Sequence, residues 1–312
     1  MLIAPREAYA QTLVELGTEN KDIVVLDADV AKASMTVLFQ EKFPDRFFDL
    51  GISESDLICT GAGFAVAGKL PFVNAYANFL LGNGWEQIRL SICYANKNVK
   101  IIGHNIGASS GKDGPTHFSL EDIALMRVLP RMTVVEPADG LEMKKAVRAI
   151  AEHVGPVYLR VGREATPVVT QAEDEFELGK ANIVRQGRDL TIVACGVMVA
   201  KAVAAAEELT AAGIEAEIIN MHTIKPLDRD TLLQSVQKTG AVVTAEEHSV
   251  IGGLGSAVAE FLACSRPVPL RIIGSPDKFG ICGTYEQIHQ AFGLTAERIA
   301  QAAKEVLEQK KP

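Results

Sequence analysis

The stretch Asp49-Leu50-Gly51-Ile52-Ser53-Glu54-Ser55-Asp56 joins a strand-like run to a helical run. Residues 46–50 form the strand-like run, and residues 57–68 are rich in Gly and Ala, which allow a helix to pack closely. This pattern predicts that Glu54 lies at the start of a helix beneath the edge of a sheet. By local pattern alone, Ser53 is a helix N-cap and Glu54 is a first-turn acid that the helix dipole favours.

Strand-like and helical patterns alternate on both sides of this stretch. In the first half, the predicted strands are 23–27, 72–76, 99–103, 133–136 and 157–160, and the predicted helices are 5–17, 86–93, 120–129 and 140–152. In the second half, the predicted strands are 190–195, 214–219, 241–246 and 270–273, and the predicted helices are 199–212, 228–238, 254–263, 284–292 and 295–309. Such alternation predicts two consecutive α/β domains with parallel or mixed sheets, which bind ligands at the carboxyl ends of their strands.

A Pro-, Thr- and acid-rich segment without periodicity separates the two series. We therefore expect a first domain at residues 1–165, a linker at 166–178 and a second domain at 179–312.

Composition and charge exclude several classes of partner. The 312 residues carry a formal net charge of −8 and contain no basic cluster, which argues against a nucleic acid or an anionic membrane surface as the main partner. No signal peptide and no membrane span is predicted, so we expect a cytoplasmic protein. The five cysteines are odd in number and lack Cys-x-x-Cys spacing, which predicts reduced thiols in the core.

Two motifs occur in a fixed order, Gly51-Ile52-Ser53-Glu54 and then Asp113-Gly114-Pro115-Thr116-His117. With them the chain resembles, over nearly its full length, the pyrimidine-binding and carboxy-terminal domains of transketolase and of 1-deoxyxylulose-5-phosphate synthase, which are thiamin diphosphate enzymes. The resemblance implies that Glu54 hydrogen-bonds the aminopyrimidine ring. A carboxyl group held among apolar side chains can stay protonated and share its proton with a ring nitrogen, as this role requires.

The resemblance also implies cofactor contacts beyond Glu54. Tyr76 and Phe79 would flank the pyrimidine ring with their flat faces, although two aromatic side chains after a strand also suit an ordinary core. Asp29, at a strand end, would approach the cofactor across an interface between subunits. Asn83 stands where the family commonly has an Arg, a departure that weakens any inference about substrate contacts in this segment.

Substrate contacts are implied on loops that follow predicted strands. His104, Asp113 and His117 match positions that transketolases use for substrate hydroxyls and proton transfer. Arg163 matches a sugar-phosphate Arg, whose planar fork suits bidentate phosphate binding, and Arg6 is a second candidate for the same role. The alternative for both arginines is a surface salt bridge.

No Gly-Asp-Gly signature for diphosphate and Mg²⁺ occurs in the sequence, so we expect no metal ligand on this chain. Glu246, Glu247 and His248 resemble metal ligands in type but not in spacing, and we interpret them as structural or interface residues. These features lead to the hypothesis of the smaller subunit of a split transketolase. Thiamin diphosphate and Mg²⁺ would then lie at the interface with a separate N-terminal-half subunit, in an α2β2 heterotetramer or around a homodimer of this chain.

The predicted function is transfer of a two-carbon ketol unit from a ketose phosphate to an aldose phosphate, with sugar phosphates as ligands. Three alternatives stay open. The chain could be the beta subunit of a 2-oxo acid dehydrogenase, the carboxy-terminal part of a 1-deoxyxylulose-5-phosphate synthase-like enzyme, or a non-catalytic scaffold subunit that kept the fold. Use of pyruvate as the donor would favour either of the first two.

Overall fold

Two sheets organise residues 1–310, the part of the chain that this computed structural model describes. The strands are β1 (Leu2–Ile3), β2 (Ile23–Asp27), β3 (Phe47–Asp49), β4 (Leu70–Tyr76), β5 (Lys100–His104), β6 (Thr133–Val135), β7 (Val157–Val161), β8 (Thr166–Pro167), β9 (Asn182–Arg185), β10 (Leu190–Ala194), β11 (Ala216–Asn220), β12 (Thr223–Lys225), β13 (Val242–Ser249) and β14 (Leu270–Ser275). The helices are α1 (Pro5–Glu19), α2 (Ala31–Ser34), α3 (Val37–Lys42), α4 (Glu54–Val66), α5 (Ala77–Gln87), α6 (Asp122–Arg127), α7 (Gly140–Glu152), α8 (Met198–Ala211), α9 (Arg229–Thr239), α10 (Leu254–Ser265), α11 (Tyr285–Phe292) and α12 (Ala296–Gln309).

The first sheet has seven strands in the order β12-β6-β7-β5-β4-β2-β3, and only β12 runs antiparallel to its neighbour. The second sheet has the order β14-β13-β10-β11-β9, with β9 antiparallel at one edge. Strands β2, β5 and β7 are buried along their whole length because helices cover both faces of the sheet. The predicted fold class, two consecutive α/β domains with parallel or mixed sheets, is confirmed.

The predicted helix at residues 86–93 was wrong in its start. Helix α5 begins at Ala77, directly after β4, and continues into a π-helix at Ile88–Tyr94. The first part of this helix was not predicted because it contains Gly82 and Gly84, and glycine has a low helix propensity.

The segment predicted as a linker is held to the first half of the chain by a separate two-stranded sheet and by the N-cap of α7. Strand β8 pairs antiparallel with β1, and Asp139 accepts hydrogen bonds from the backbone N–H groups of Val169 and Thr170, each at 2.8 Å. Strand β12, from the second half of the sequence, extends the first sheet through β6 and was not predicted. The two halves therefore share a sheet, and the domain boundaries at 165 and 179 stay a prediction.

The cysteines are all free, but only Cys93 and Cys195 are buried. The prediction of core thiols was therefore wrong for Cys59, Cys264 and Cys282, which are exposed. Within residues 1–310, no helix combines the length and the apolar character that crossing a membrane requires.

Candidate active site

Glu54 is the first residue of α4 and is only 6% exposed. Ser53 occupies the predicted N-cap position and Glu54 lies in the first turn as predicted, although the Ser53 side chain makes no capping hydrogen bond. Glu54 Oε2 instead accepts a hydrogen bond from Asn83 Nδ2 at 3.1 Å, and Ser55 Oγ donates to the Asn83 carbonyl oxygen. Asn83 therefore ties α5 to the first turn of α4 at the predicted catalytic carboxylate.

An aromatic cluster lies on the same side of α5. Phe79 precedes Asn83 by one helical turn, so the two side chains share a face of the helix. The rings of Tyr76 and Phe79 are 6.1 Å apart between centroids, and the His117 ring lies edge-on to both, at 6.1 Å from Tyr76 and 5.1 Å from Phe79. The structure thus groups Tyr76, Phe79 and His117, and Asn83 links Glu54 to the same face of α5.

Residues 105–121, which we call the 105–121 loop, bring Asp113 to the same region. Asn78 Nδ2 donates to the Thr116 carbonyl oxygen, and Thr116 Oγ1 lies 3.0 Å from His117 Nδ1. Arg163 Nη1 lies 3.3 Å from Asp113 Oδ2, and both side chains are partly exposed. A cavity of about 340 Å³ adjoins this ion pair. The pair is therefore accessible to solvent.

His104 is in a different setting, with only 2% exposure. Its Nε2 lies 3.0 Å from Asn74 Oδ1, and the Tyr9 hydroxyl donates to the same oxygen at 2.7 Å. Because Asn74 Nδ2 donates to two backbone carbonyls, Oδ1 is the acceptor, and the proton is on His104 Nε2. Burial lowers the pKa of His104 to about 3, and the charge of Arg6 acts in the same direction. His104 is therefore a neutral hydrogen-bond donor inside the sheet, and its role towards substrate stays a prediction.

Arg6 and Asp29 are not joined by hydrogen bonds to the residues above. Arg6 Nη1 donates to the Ala33 carbonyl oxygen at 3.2 Å, and the Asp29 N–H donates to Asp49 Oδ1 at 3.1 Å. Asp29 is exposed and adopts a positive φ of 59°, a conformation that Asp tolerates better than most residues. Their predicted contacts with phosphate and cofactor stay predictions.

Three residues that hold this site, Tyr9, Asn74 and Asn78, were not predicted from the sequence. Asn74 had a detectable signal, because an amide within an otherwise apolar strand must find partners when buried. Tyr9 was predicted only as one of the apolar residues on the buried face of α1. Its hydrogen-bond partner, Asn74, is 65 positions away in sequence.

The donor set fits the ring end of thiamin diphosphate. Glu54 offers a carboxyl group, and Tyr76 and Phe79 offer half-buried aromatic faces. Among residues 1–310, no group of three or more His, Cys, Asp or Glu side chains could hold a metal ion.

Gly84 keeps α4 and α5 in contact beside Glu54, which gives a first testable prediction. A Cβ at Gly84 would lie 2.1 Å from Ile58 Cδ1, whereas one at Gly82 would meet nothing within 4 Å. We expect Gly84→Ala to destabilise the chain by ~1–3 kcal/mol through overpacking. Gly82→Ala, the matched control, should be neutral or stabilising by up to ~1 kcal/mol because of helix propensity. Urea unfolding of both variants measures this, and equal stabilities would contradict it.

Comparison with known families agrees with this arrangement. The family described as "Transketolase, pyrimidine binding domain" matches residues 2–169, and "Transketolase, C-terminal domain" matches residues 179–299.

Individual relatives match over nearly their whole length. The chain is 46% identical over 305 residues to the 6-deoxy-6-sulfo-D-fructose transketolase subunit SqwH of Clostridium sp. (strain MSTE9), covering 98% of this chain and 95% of that protein. It is 41% identical over 306 residues to a subunit of the apulose-4-phosphate transketolase of Phocaeicola vulgatus, covering 97% of each. A solved structure described as a split gene transketolase, inactive beta4 tetramer, is 47% identical, covers 99% of each chain and has a TM-score of 0.91. The chain therefore belongs to the transketolase family of thiamin diphosphate enzymes, in which it corresponds to the split-gene subunits that carry the pyrimidine-binding and C-terminal domains.

Proposed function

We propose that this chain is one subunit of a split transketolase that transfers a two-carbon ketol unit from a ketose phosphate to an aldose phosphate. The observation that carries the proposal is the buried Glu54 carboxylate, held by Asn83 on the surface that also presents Tyr76, Phe79 and His117. A scaffold subunit would have no need of a buried acid beside an open aromatic surface, because such burial costs free energy.

Bound thiamin diphosphate supplies the carbanion chemistry by which a two-carbon unit is held between donor and acceptor. Glu54 would hold the pyrimidine ring by a proton shared with a ring nitrogen, and Tyr76 and Phe79 would flank that ring. His117 and Asp113 would bind substrate hydroxyls and move protons at the reacting carbon. Arg163 would exchange Asp113 for the anionic end of the sugar, which its planar guanidinium can grip with two hydrogen bonds.

The rest of the cofactor site would come from a partner subunit that carries a diphosphate-binding domain and the Mg²⁺ ligands. Mg²⁺ prefers oxygen ligands in an octahedral arrangement, and the described residues contain no group of three or more His, Cys, Asp or Glu side chains that could hold a metal ion. An α2β2 assembly would place each cofactor between subunits. The relative described as an inactive beta4 tetramer supports self-association of this type of chain. Five free cysteines fit a reducing, cytoplasmic location.

The names of the two relatives suggest which class of sugar this chain uses as its donor. The Clostridium relative is named for a ketose with a sulfonate group, and the Phocaeicola relative is named for a ketose phosphate. Both sugars have an anionic group away from the carbonyl, which suits the accessible Arg163. We therefore propose that the donor is a ketose with a phosphate or sulfonate at its far end.

Calorimetric titration of thiamin diphosphate with Mg²⁺ tests the split-site proposal. We expect no heat with this chain alone and tight binding after a diphosphate-domain subunit has been added, because neither chain would hold the whole cofactor. Tight binding by the lone chain would overturn the proposal.

Ketol transfer is then assayed with ketose phosphates and with a ketose sulfonate as donors. Pyruvate is tested in parallel, with an artificial electron acceptor or with an aldose phosphate. Activity with pyruvate and none with anionic ketoses would favour a 2-oxo acid dehydrogenase or a deoxyxylulose phosphate synthase.

A further inference from the structure

The 105–121 loop does not stand free but packs on the second domain. Ala108, Phe118 and Leu120 from the loop form a small buried apolar cluster with Ile288 of α11. The N–H of Ser249, at the end of β13, donates to the Leu120 carbonyl oxygen at 2.7 Å. These contacts bind the loop that carries Asp113 and His117 to a surface made by β13 and α11.

Glu247 of β13 is the polar centre of this contact. Its Oε1 accepts hydrogen bonds from the Ala108 N–H at 3.0 Å and from His289 Nε2 at 2.8 Å. Glu247 and His289 are each 2% exposed. Lys201 donates to His289 Nδ1, which leaves the proton of the ring on Nε2 and directs it to Glu247. The chain of donors therefore runs from Lys201 through His289 to Glu247, which accepts from the loop backbone.

The backbone of the 105–121 loop passes close to the Glu247 side chain. Gly107 has a positive φ of 55°, and a Cβ there would lie 2.4 Å from Glu247 Cδ. Further along, a Cβ at Gly280, between β14 and α11, would lie 2.2 Å from Phe118 Cδ2. The second domain therefore packs tightly against the loop near both of its ends, at Gly107 and at Phe118. A displacement of Glu247 or Gly280 would displace the loop.

We propose that Glu247 and His289 are positioning residues for the reaction, although neither belongs to the candidate site. They fix the 105–121 loop so that Asp113 and His117 face the substrate, and the second domain acts on the reaction through this support. The inference rests on the proposed ketol transfer. A loop rich in glycine has many competing conformations, and ordering it in advance removes an entropic cost that substrate binding would otherwise carry. The cofactor surface of Glu54, Tyr76 and Phe79 lies on α4, β4 and α5, outside the loop.

The test compares Glu247→Ala with Glu246→Ala in the complex with the diphosphate-domain subunit. Glu246 is the matched control because it is equally buried on the same strand, yet accepts only from the N–H groups of Leu254 and Gly255 in α10. We expect Glu247→Ala to raise KM for both sugars about tenfold or more, since small displacements of positioned groups have large kinetic effects. The Kd for thiamin diphosphate should stay within about twofold. Glu246→Ala should lower thermal stability without a selective rise in KM.

Two further variants keep the proposal testable if Glu247→Ala does not fold. Glu247→Gln keeps the Oε1 acceptor and should restore near-wild-type KM. Gly280→Ala removes no hydrogen bond but pushes on Phe118, and should raise KM as Glu247→Ala does.

Hydrogen–deuterium exchange of the full chain gives a readout that does not depend on activity. Glu247→Ala and Gly280→Ala should both speed exchange in the 105–121 loop, whereas Glu246→Ala should speed it near α10. If wild-type complex transfers no ketol unit, the proposed function fails, and the exchange pattern alone then decides the positioning proposal. Unchanged loop exchange in Glu247→Ala and Gly280→Ala, or loop exchange that rises equally in Glu246→Ala, overturns it.

Discussion

Replacing Glu54 with Gln is expected to lower kcat for ketol transfer by about 10²–10⁴-fold, the usual contribution of a positioned acid or base. The amide keeps the size of the side chain and an oxygen that can accept from Asn83, so α4 and α5 should stay joined. It cannot share a proton with a ring nitrogen as a carboxyl group does. Calorimetry should show that the reconstituted complex still binds thiamin diphosphate, and steady-state kinetics should show the loss of turnover.

Asp56→Asn is the matched control for this experiment. Asp56 lies in the same first turn of α4, is exposed, and its Oδ1 accepts only from Thr60 Oγ1 at 3.3 Å. Both substitutions replace a first-turn carboxyl group by an amide of the same size, so both change the same part of the helix. Only Glu54→Gln should lose turnover. Equal kcat in wild-type and Glu54→Gln complexes would support the scaffold alternative and refute the proposed role.

Long apolar strands could be predicted from sequence, whereas short strands could not. Strands β2 and β5 are buried on both faces, so their hydrophobic runs are continuous and easily detected. Strand β12 has only three residues and forms by pairing with β6, a strand from the other half of the chain. This pairing is a tertiary contact, so the sequence of β12 alone does not indicate a strand. The start of helix α5 was not predicted for a related reason. Gly84 has a low helix propensity, but its missing side chain lets α5 pack closely on Ile58 of α4.

The sequence motifs proposed the residues of the candidate site, whose roles stay predictions, but could not define the contacts between these residues. The two motifs led to Glu54 and His117, and the structure places His117 against Tyr76 and Phe79. The link from Asn83 to Glu54 depends on the crossing of α4 and α5, which sequence alone does not define. The departure from Arg at this position therefore has a local role in this chain, as a neutral partner of the carboxylate.

Burial of His104 also escaped prediction because it depends on three separate elements. Strand register places His104 beside Tyr76 on the neighbouring strand, and Asn74 lies two residues earlier on that strand. Tyr9 arrives from α1. A motif identifies the type of residue at a position, but its exposure follows from the pairing of strands and the packing of helices around it.

Replacing Arg160 with Met is expected to destabilise the chain by ~3–5 kcal/mol, the usual cost of breaking a buried ion pair from one side. The Arg160 side chain is fully buried, lies 2.7 Å from Asp122 through Nε, and lies 2.6 Å from Glu136 through Nη1. It also donates to the backbone carbonyl oxygen of Glu247 at 3.2 Å, so it joins β7 to the second domain. Methionine fills much of the volume but leaves two buried carboxylates without a counter-charge.

Arg148→Met is the matched control, because Arg148 pairs with Glu15 and Glu19 at the surface with 42% of its side chain exposed. Its loss should cost less than ~1 kcal/mol. Urea unfolding of both variants measures the difference.

The pH dependence separates lost charge pairing from lost packing. Burial raises the pKa of Asp122, but the charge and hydrogen bonds of Arg160 outweigh it, so the folded pKa lies below its usual range. Burial dominates at Glu136, and its pKa is raised despite Arg160. In wild-type protein, Asp122 therefore contributes stability above an unfolded pKa of about 3.9, and this stability is lost as pH falls through the folded value.

Without Arg160, burial outweighs the remaining hydrogen bonds from Tyr158 and Cys195, so the pKa of Asp122 rises above its unfolded value and the pKa of Glu136 rises further. Folding then favours the protonated acids, so the variant loses stability as pH rises through the new folded values. The gap in free energy of unfolding between wild type and Arg160→Met should accordingly widen from about pH 5 to about pH 7.5. A gap that stays constant with pH would mean that Arg160 stabilises the chain by packing its aliphatic stem. A loss no larger than that of Arg148→Met would show that the two carboxylates find other partners.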